Sequence, residues 1–431
     1  MTNPISILIL IGGFMLLLML KVPIAFALMI AAFASAWYHG IPLSAIGLQL
    51  INGVGSFSLL AIPFFIIAGN IMGEGGISTR LVTLADVLIG RVRGGLAMVN
   101  VLSSKFFGTV SGSAVADTSA LGTILIPMMK KQGYDMEFTV ANTVSSSIIG
   151  LLIPPSHNMI IYVMAAGGGI SVAAMFMAGI VPALIAGIGL MAVSYYLAIK
   201  RNYPKGNKYT FKEGFKAVNS SLLGLMTIVI ITGGIVTGIF TATEASVIGA
   251  IYAFIITFFV YREIPLRAFW GIMKKSFRTT ATVMAIISAS SAFGHMMAVL
   301  QVPAQFSEIL LSISDNPVIV LLLINVLIIL LGLFMDMAPM LLIGTPILLP
   351  IAVEMGMHPV QFGILILLNL GIGLITPPVG TVLFVGCSIG KLKVEQAIKP
   401  LLPYYLVFII TLLLITFVPQ ITLWLPAVTG N

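Results

Sequence analysis

The sequence predicts an all-α polytopic membrane protein made of two inverted-topology repeats, each with a re-entrant helical hairpin and a broken helix. Three observations carry that expectation. First, 59% of the 431 residues are hydrophobic and 8% are charged, and the mean hydropathy is +1.15. So few charges cannot cover a water-facing surface, which makes lipid the solvent for most of the chain. Second, Gly150-Leu-Leu-Ile-Pro154-Pro155 returns 223 residues later as Gly373-Leu-Ile-Thr-Pro377-Pro378, and the same offset relates Pro127 to Pro350 and Gly133 to Gly356. Third, the basic residues sort to one side of the topology that these breaks imply.

Apolar runs of about 17–25 residues can span a bilayer. In the first half they fall near 4–20, 22–39, 55–75, 134–166 (broken at the Pro-Pro) and 171–199. In the second half they fall near 218–239, 242–261, 280–300, 358–389 (also broken) and 396–419. Residues 4–20 read as a membrane helix and not as a signal peptide, because no basic segment precedes them and Lys21 follows. Short amphipathic connectors at 41–53 and 263–279 lead into the third crossing of each half. The stretches 94–128 and 317–351 each suit two half-crossings, interrupted by Gly108-Thr-Val-Ser-Gly-Ser113 and by Gly332-Leu-Phe-Met-Asp336. A bend there makes a hairpin that enters and leaves by one face. Its exposed backbone must be buried in protein or line an aqueous cavity. Residues 1–199 thus form the first repeat, 200–217 a basic linker and 218–431 the second repeat. Each repeat crosses an odd number of times, five, so the second copy enters the membrane upside down.

Charge tests this topology, because cytoplasmic loops collect Lys and Arg. With the linker (Lys200, Arg201, Lys205, Lys208, Lys212, Lys216) inside, all 21 basic residues fall on that face. The outer segments 40–54, 167–171, 301–316, 352–358 and 420–431 contain none. Both termini then lie on the far side; hairpin one opens inward and hairpin two outward. The net charge of +8 reports orientation, not a nucleic-acid partner. The single cysteine, Cys387, excludes an internal disulfide.

Paired Gly/Pro-interrupted segments in two halves of a membrane chain point to a transporter's binding site. A helix cut inside the membrane leaves free carbonyls on one stub and free N–H groups on the next. Carbonyl ends suit a bare cation and N–H ends an anion. Candidate Na⁺ ligands in repeat one are Gly108 and Ser111 at the tip, with Gly150, Ile153 and Pro154 at the break. In repeat two they are Gly332 at the tip, with Gly373, Thr376 and Val379 at the break. The N–H-rich stubs begin at Gly112-Ser113, Ser156-His157-Asn158, Asp336 to Pro339, and Gly380-Thr381, where an anionic substrate would sit. Asp336, just before Ala338-Pro339, is either a functional carboxylate or the cap of the second arm. Asp117 is read as support for the first tip, bonding it internally. His157 is a proton carrier or a substrate contact, and its counterpart is Gly380.

These motifs, taken with Leu60-AIPFFIIAGNIM-Gly73, Val110-SGSAVADTSAL-Gly122 and Gly233-GIVTGIFTATE-Ala245, resemble the large membrane subunit of a tripartite ATP-independent periplasmic (TRAP) transporter over nearly the whole chain. The resemblance implies a secondary importer of the bacterial inner membrane, with cytoplasmic basic loops and periplasmic termini. It also implies a small four-helix membrane subunit on a separate chain, since this chain opens on the first repeat, and a periplasmic substrate-binding protein. Na⁺ is the implied coupling ion, at least two per cycle from the two repeat sites, and an organic acid is the implied cargo. Hairpins and broken helices would move as a transport domain against a fixed scaffold. The tip Ser111-Gly-Ser-Ala-Val-Ala-Asp117 and the break Leu374-Ile-Thr-Pro-Pro378 are more similar to sugar-acid members, such as those for sialic acid, than to the C4-dicarboxylate branch.

Other classes fit less well. His-Glu-x-x-His, Gly-x-Gly-Asp and Gly-x-Ser-x-Gly are absent, which argues against an enzyme, and no phosphate loop for an ATP-driven pump is present. A channel built from re-entrant loops and a proton-coupled exchanger of similar fold remain as alternatives.

Overall fold

A computed structural model describes residues 4–206, 209–333 and 335–430, apart from the side chains of Val110 and Leu311; Lys208, Phe334 and Asn431 lie outside the described residues. Among the described residues, the regular elements are helices. Seven of them are long and apolar enough to cross a membrane, or eight spans if the bent pair Met136–Leu152 and His157–Ala165 counts as one. The sequence reading expects ten. One of the seven, Met337–Glu354, is an arm of hairpin two; the three unmatched crossings are made of short helices, Pro4–Met19, Ile24–His39 and the pair Pro359–Leu374 and Thr381–Gly390, each with fewer than 18 residues. A 16-residue helix is only about 24 Å long, less than the roughly 30 Å hydrocarbon core.

Both hairpins form. The first pairs Gly95–Ser111 with Ala114–Lys131, and the second pairs Pro317–Gly332 with Met337–Glu354. Both broken helices form too, as Met136–Leu152 with His157–Ala165 and as Pro359–Leu374 with Thr381–Gly390. The Pro154-Pro155 and Pro377-Pro378 bonds are both cis.

Two expectations need correction. The connector 263–279 and the crossing 280–300 are not separate elements; they are one helix, Ala268–Val299. In the first half the corresponding pieces stay apart as Leu43–Val54 and Phe57–Glu74. The cause is local. Ser56 adopts an extended conformation after Gly55, and the positions 223 residues on hold Arg278 and Thr279, which do not break a helix. Secondly, Ile77–Ile89 and Val302–Ile313 are helices where the hydropathy reading places loops, the latter inside the outer segment 301–316. Each starts after a residue in the left-handed region, Gly76 (φ 75°) and Gln301 (φ 53°), which turns the chain before a new amphipathic helix begins.

The helices pack as two groups, or bodies, that share one core, with Ala268–Val299 also lying on Met337–Glu354 and Ala61–Glu74 on Gly95–Ser111. In one, Ala268–Val299 packs on Ile24–His39, Leu43–Val54 and Ala61–Glu74, and Ala61–Glu74 packs on Ala242–Ile255, so the two halves interlock. In the other, the hairpins and broken helices pack with Val172–Lys200 and Val394–Phe417. The half-helices cross over reciprocally: Thr381–Gly390 lies on the second arm of hairpin one, and His157–Ala165 on the second arm of hairpin two. Lipid offers little hydrophobic drive between helices, so close packing at small residues and buried hydrogen bonds must hold them. Glycines supply the first: a β-carbon on Gly363 would lie 2.4 Å from Tyr162, and one on Gly371 2.8 Å from Ile148. The second comes from buried networks. Asn142 donates to Ser194 at 2.9 Å and to Tyr404 at 3.4 Å, while Asn369 donates to Asn325, which donates to Thr416 at 3.1 Å.

Outside the membrane, Asp135 closes the turn before Met136–Leu152. Its Oδ2 accepts from Tyr203 at 2.7 Å and Arg201 at 2.8 Å. The Tyr203 hydroxyl and the Arg201 guanidinium hold its carboxyl below the usual carboxylate range. Asp135→Asn should therefore lower stability at pH 7, by on the order of 0.5 kcal/mol for so exposed a pair. The folded-state value lies below the unfolded value of about 3.9. The native advantage is thus full above that value and fades as pH falls through the lowered one. Thermal unfolding in detergent should show wild type and variant diverging near neutrality and converging in acid.

Candidate functional site

The site starts from two backbone crossings. A β-carbon on Gly108, in the first arm of hairpin one, would lie 2.2 Å from the Gly150 Cα. In the second half, a β-carbon on Gly373 would lie 2.7 Å from the Gly332 carbonyl oxygen. Only glycine permits such an approach. The tip of each hairpin is thereby brought against the break of the following helix.

At the first tip, Gly112 takes the left-handed conformation (φ 58°) and donates its N–H to the Gly108 carbonyl at 2.8 Å. Ser113 caps the second arm, its Oγ accepting from the Ala116 N–H at 3.3 Å, and the Ser111 Oγ accepts from the Ser113 N–H at 3.4 Å. At the neighbouring break, Ile153 is extended, Pro154 follows, and Ser156 precedes the half-helix that His157 and Asn158 open. Asn158 reaches back to donate to the Gly112 carbonyl at 3.1 Å. Two helix N-termini, at Ala114 and at His157, therefore sit side by side: a β-carbon on Gly112 would lie 3.1 Å from the His157 Nδ1. Their partial positive charge suits an anion.

At the second tip, Asp336 is the cap of its arm, accepting from the Met337 N–H at 2.9 Å. It stands 223 residues after Ser113, which caps the first. At the second break, the Thr376 hydroxyl donates to the Ile372 carbonyl at 2.6 Å and lies within hydrogen-bonding reach of the Tyr405 hydroxyl. Tyr405 donates to the Ile375 carbonyl at 2.6 Å. Val379 is 40% exposed. Gly380, in the left-handed region at φ 31°, starts the half-helix that Thr381 opens.

Asp117 lies in the second arm of hairpin one. It is fully buried, and among the described residues its carboxylate makes no hydrogen bond to the Ser111–Ser113 tip. It lies by Ser104 of the facing arm, with Oδ2 3.7 Å from where a Gly150 β-carbon would stand.

Beside the first tip lies a cavity of about 600 Å³ between the two bodies. Ser111, Ser113 and His157 line one side; Asn70, Glu74, Lys275 and Thr279 line the other. Ser78, Thr79, Ser119 and Thr123 make its wall hydroxyl-rich. The far wall escapes the sequence reading, although Asn70, a polar residue inside the apolar run Ile62–Met72, was a usable signal.

Reciprocally packed hairpins and broken helices, with a cavity beside the first tip, define a membrane transporter subunit. The family described as the DctM component of the tripartite ATP-independent periplasmic transporters matches residues 11–421, and the chain belongs to it. It is 40% identical to a "Putative TRAP transporter large permease protein" of Haemophilus influenzae, over 94% of this chain and 95% of that protein. It is 39% identical to an "Isethionate TRAP transporter permease protein" of Oleidesulfovibrio alaskensis, over 96% of this chain and 66% of that protein. It is 37% identical to a "Sialic acid TRAP transporter large permease protein" of Vibrio cholerae, over 96% and 97%. The crystal structure of the Alcanivorax borkumensis YdaH transporter shares the fold, with a TM-score of 0.62 at 15% identity, covering 87% of this chain and 88% of that one.

The crossings predict their own sensitivity. Gly108→Ala should force backbone apart and cost roughly 1–3 kcal/mol, read as a lower melting temperature in detergent. Gly294→Ala, in a helix with nothing within 4 Å of the new β-carbon, should be neutral or slightly stabilising.

Proposed function

We propose that this chain is the translocating subunit of a Na⁺-coupled importer of an organic acid, with a sugar acid such as sialic acid favoured. It works with a separate small four-helix subunit and a periplasmic binding protein that delivers the acid. The observation that carries this reading is the pairing of two helix N-termini with the Ser111 and Ser113 hydroxyls at the edge of a hydroxyl-rich cavity. Such a wall suits a carboxylate bearing several hydroxyl groups more than a bare dicarboxylate.

Na⁺ enters as a co-transported substrate. The donors at the crossings are backbone carbonyls and hydroxyls, hard oxygen ligands that carry no titrating proton and so favour Na⁺ over H⁺. In repeat one they are Gly108, Ser111, Gly150, Ile153 and Pro154; in repeat two, Gly332, Gly373, Thr376 and Val379. Filling both sites neutralises converging carbonyl dipoles beside the anion, which couples ion and acid binding. The hairpins and broken helices then move against the interlocked scaffold. In the inverted arrangement, hairpin one guards the cytoplasmic side and hairpin two the periplasmic side.

Co-reconstitution of the chain with its small subunit and binding protein, under an inward Na⁺ gradient, tests this. Labelled N-acetylneuraminate should accumulate only with all three proteins and Na⁺. Accumulation of succinate or isethionate instead would change the cargo class alone. Uptake without Na⁺, or by this chain alone, would overturn the coupling. Thr376→Ala should raise the Na⁺ concentration for half-maximal uptake severalfold, about 1 kcal/mol, while protein yield stays near wild type.

A further inference from the structure

The cavity's far wall carries a charged pair that tip chemistry does not use. Lys275 Nζ stands 3.0 Å from Glu74 Oε1, and the side chains are 60% and 45% exposed. Lys275 lies on Ala268–Val299 and Glu74 ends Ala61–Glu74. Both helices belong to the interlocked body. Ser111, Ser113 and His157, on the opposite side of the same cavity, belong to the hairpin body. Among the described lining residues, Glu74 and Lys275 are the only Asp, Glu, Lys or Arg.

An ion pair this exposed contributes little to folding, so fold stability does not account for it. Its exposure also leaves the ammonium open to a competing anion. A carboxylate leaving the hairpin tip for this side exchanges two helix N-termini for bulk water. Lys275 is the one full positive charge that the cavity offers on that route. Left alone, it would hold the acid. Glu74, bonded to the same nitrogen, competes for it and limits the hold.

We propose that Glu74 and Lys275 form an exchange pair that receives the carboxylate of the cargo on this side and returns it to water, so that the pair sets release affinity. This rests on the organic-acid carrier reading above. Breaking the pair from its two ends has opposite consequences. Glu74→Gln leaves Lys275 unopposed and tightens the hold; Lys275→Gln removes the hold; Lys275→Arg keeps it. A pair that merely braced the scaffold would respond alike to loss of either partner.

The test is counterflow in proteoliposomes containing the small subunit, preloaded with N-acetylneuraminate, succinate or isethionate at graded concentrations. The internal acid giving half-maximal exchange should fall roughly two- to five-fold in Glu74→Gln and rise by a similar factor in Lys275→Gln. Lys275→Arg should stay near wild type, and melting temperatures of all three variants should match wild type. Shifts of the same sign for Glu74→Gln and Lys275→Gln, or none while wild type exchanges an acid, would overturn the exchange pair and leave the carrier reading standing. Failure of wild type to exchange any of the three acids would remove the carrier reading, and the pair's role with it.

Discussion

Inside a bilayer, a peptide group that leaves helical geometry finds no water to bond, and each orphaned group costs several kcal/mol. The rest of the structure depends on how this chain meets that constraint. It breaks its helices near 112 and 154, between Gly332 and Met337, and near 377, and each hairpin tip is laid against a helix break through a glycine crossing. Some freed groups are then satisfied from within: Asn158 bonds the Gly112 carbonyl, Tyr405 the Ile375 carbonyl, and Ser113 and Asp336 cap the returning arms. What the protein does not satisfy is what the proposed ion and anion would bind. Site and fold are one solution to a single solvation problem.

The division into two bodies follows from the same solvent. Since lipid does not press helices together, each body is held by small-residue contacts and buried amide or hydroxyl bonds. The Asn142–Ser194–Tyr404 and Asn369–Asn325–Thr416 networks tie broken helices and the second hairpin to the long helices Val172–Lys200 and Val394–Phe417. Between the bodies lies the hydroxyl-lined cavity, where contact gives way to water-accessible space.

Much of this was legible in the sequence, and for identifiable reasons. Gly and Pro are read directly because they constrain backbone: Gly150, Pro154, Gly373 and Pro377 marked the breaks, and the small residues around Gly112 marked the first tip. The all-helical class followed from composition. Less legible was anything decided by packing between distant segments. The carboxylate of Asp117 lies beside the Gly108–Gly150 crossing, a fact with no local signature. Ile77–Ile89 and Val302–Ile313 are too amphipathic to register as apolar runs. The Glu74–Lys275 wall joins residues 201 positions apart, so the pair has no local signature, and Lys275 reads only as one of the basic residues sorting to one face.

The fusion of connector and third crossing into Ala268–Val299 sets the two halves apart mechanically. At about 1.5 Å per residue, this 32-residue helix is roughly 48 Å long, well beyond a hydrocarbon core of about 30 Å. It is a stiff strut that accommodates hydrophobic mismatch by tilting or by standing out into the headgroups. Its counterpart, jointed at Gly55-Ser56, absorbs the same mismatch by bending there. A change in bilayer thickness therefore loads one half as a lever and the other as a hinge, and the two halves feel the membrane differently.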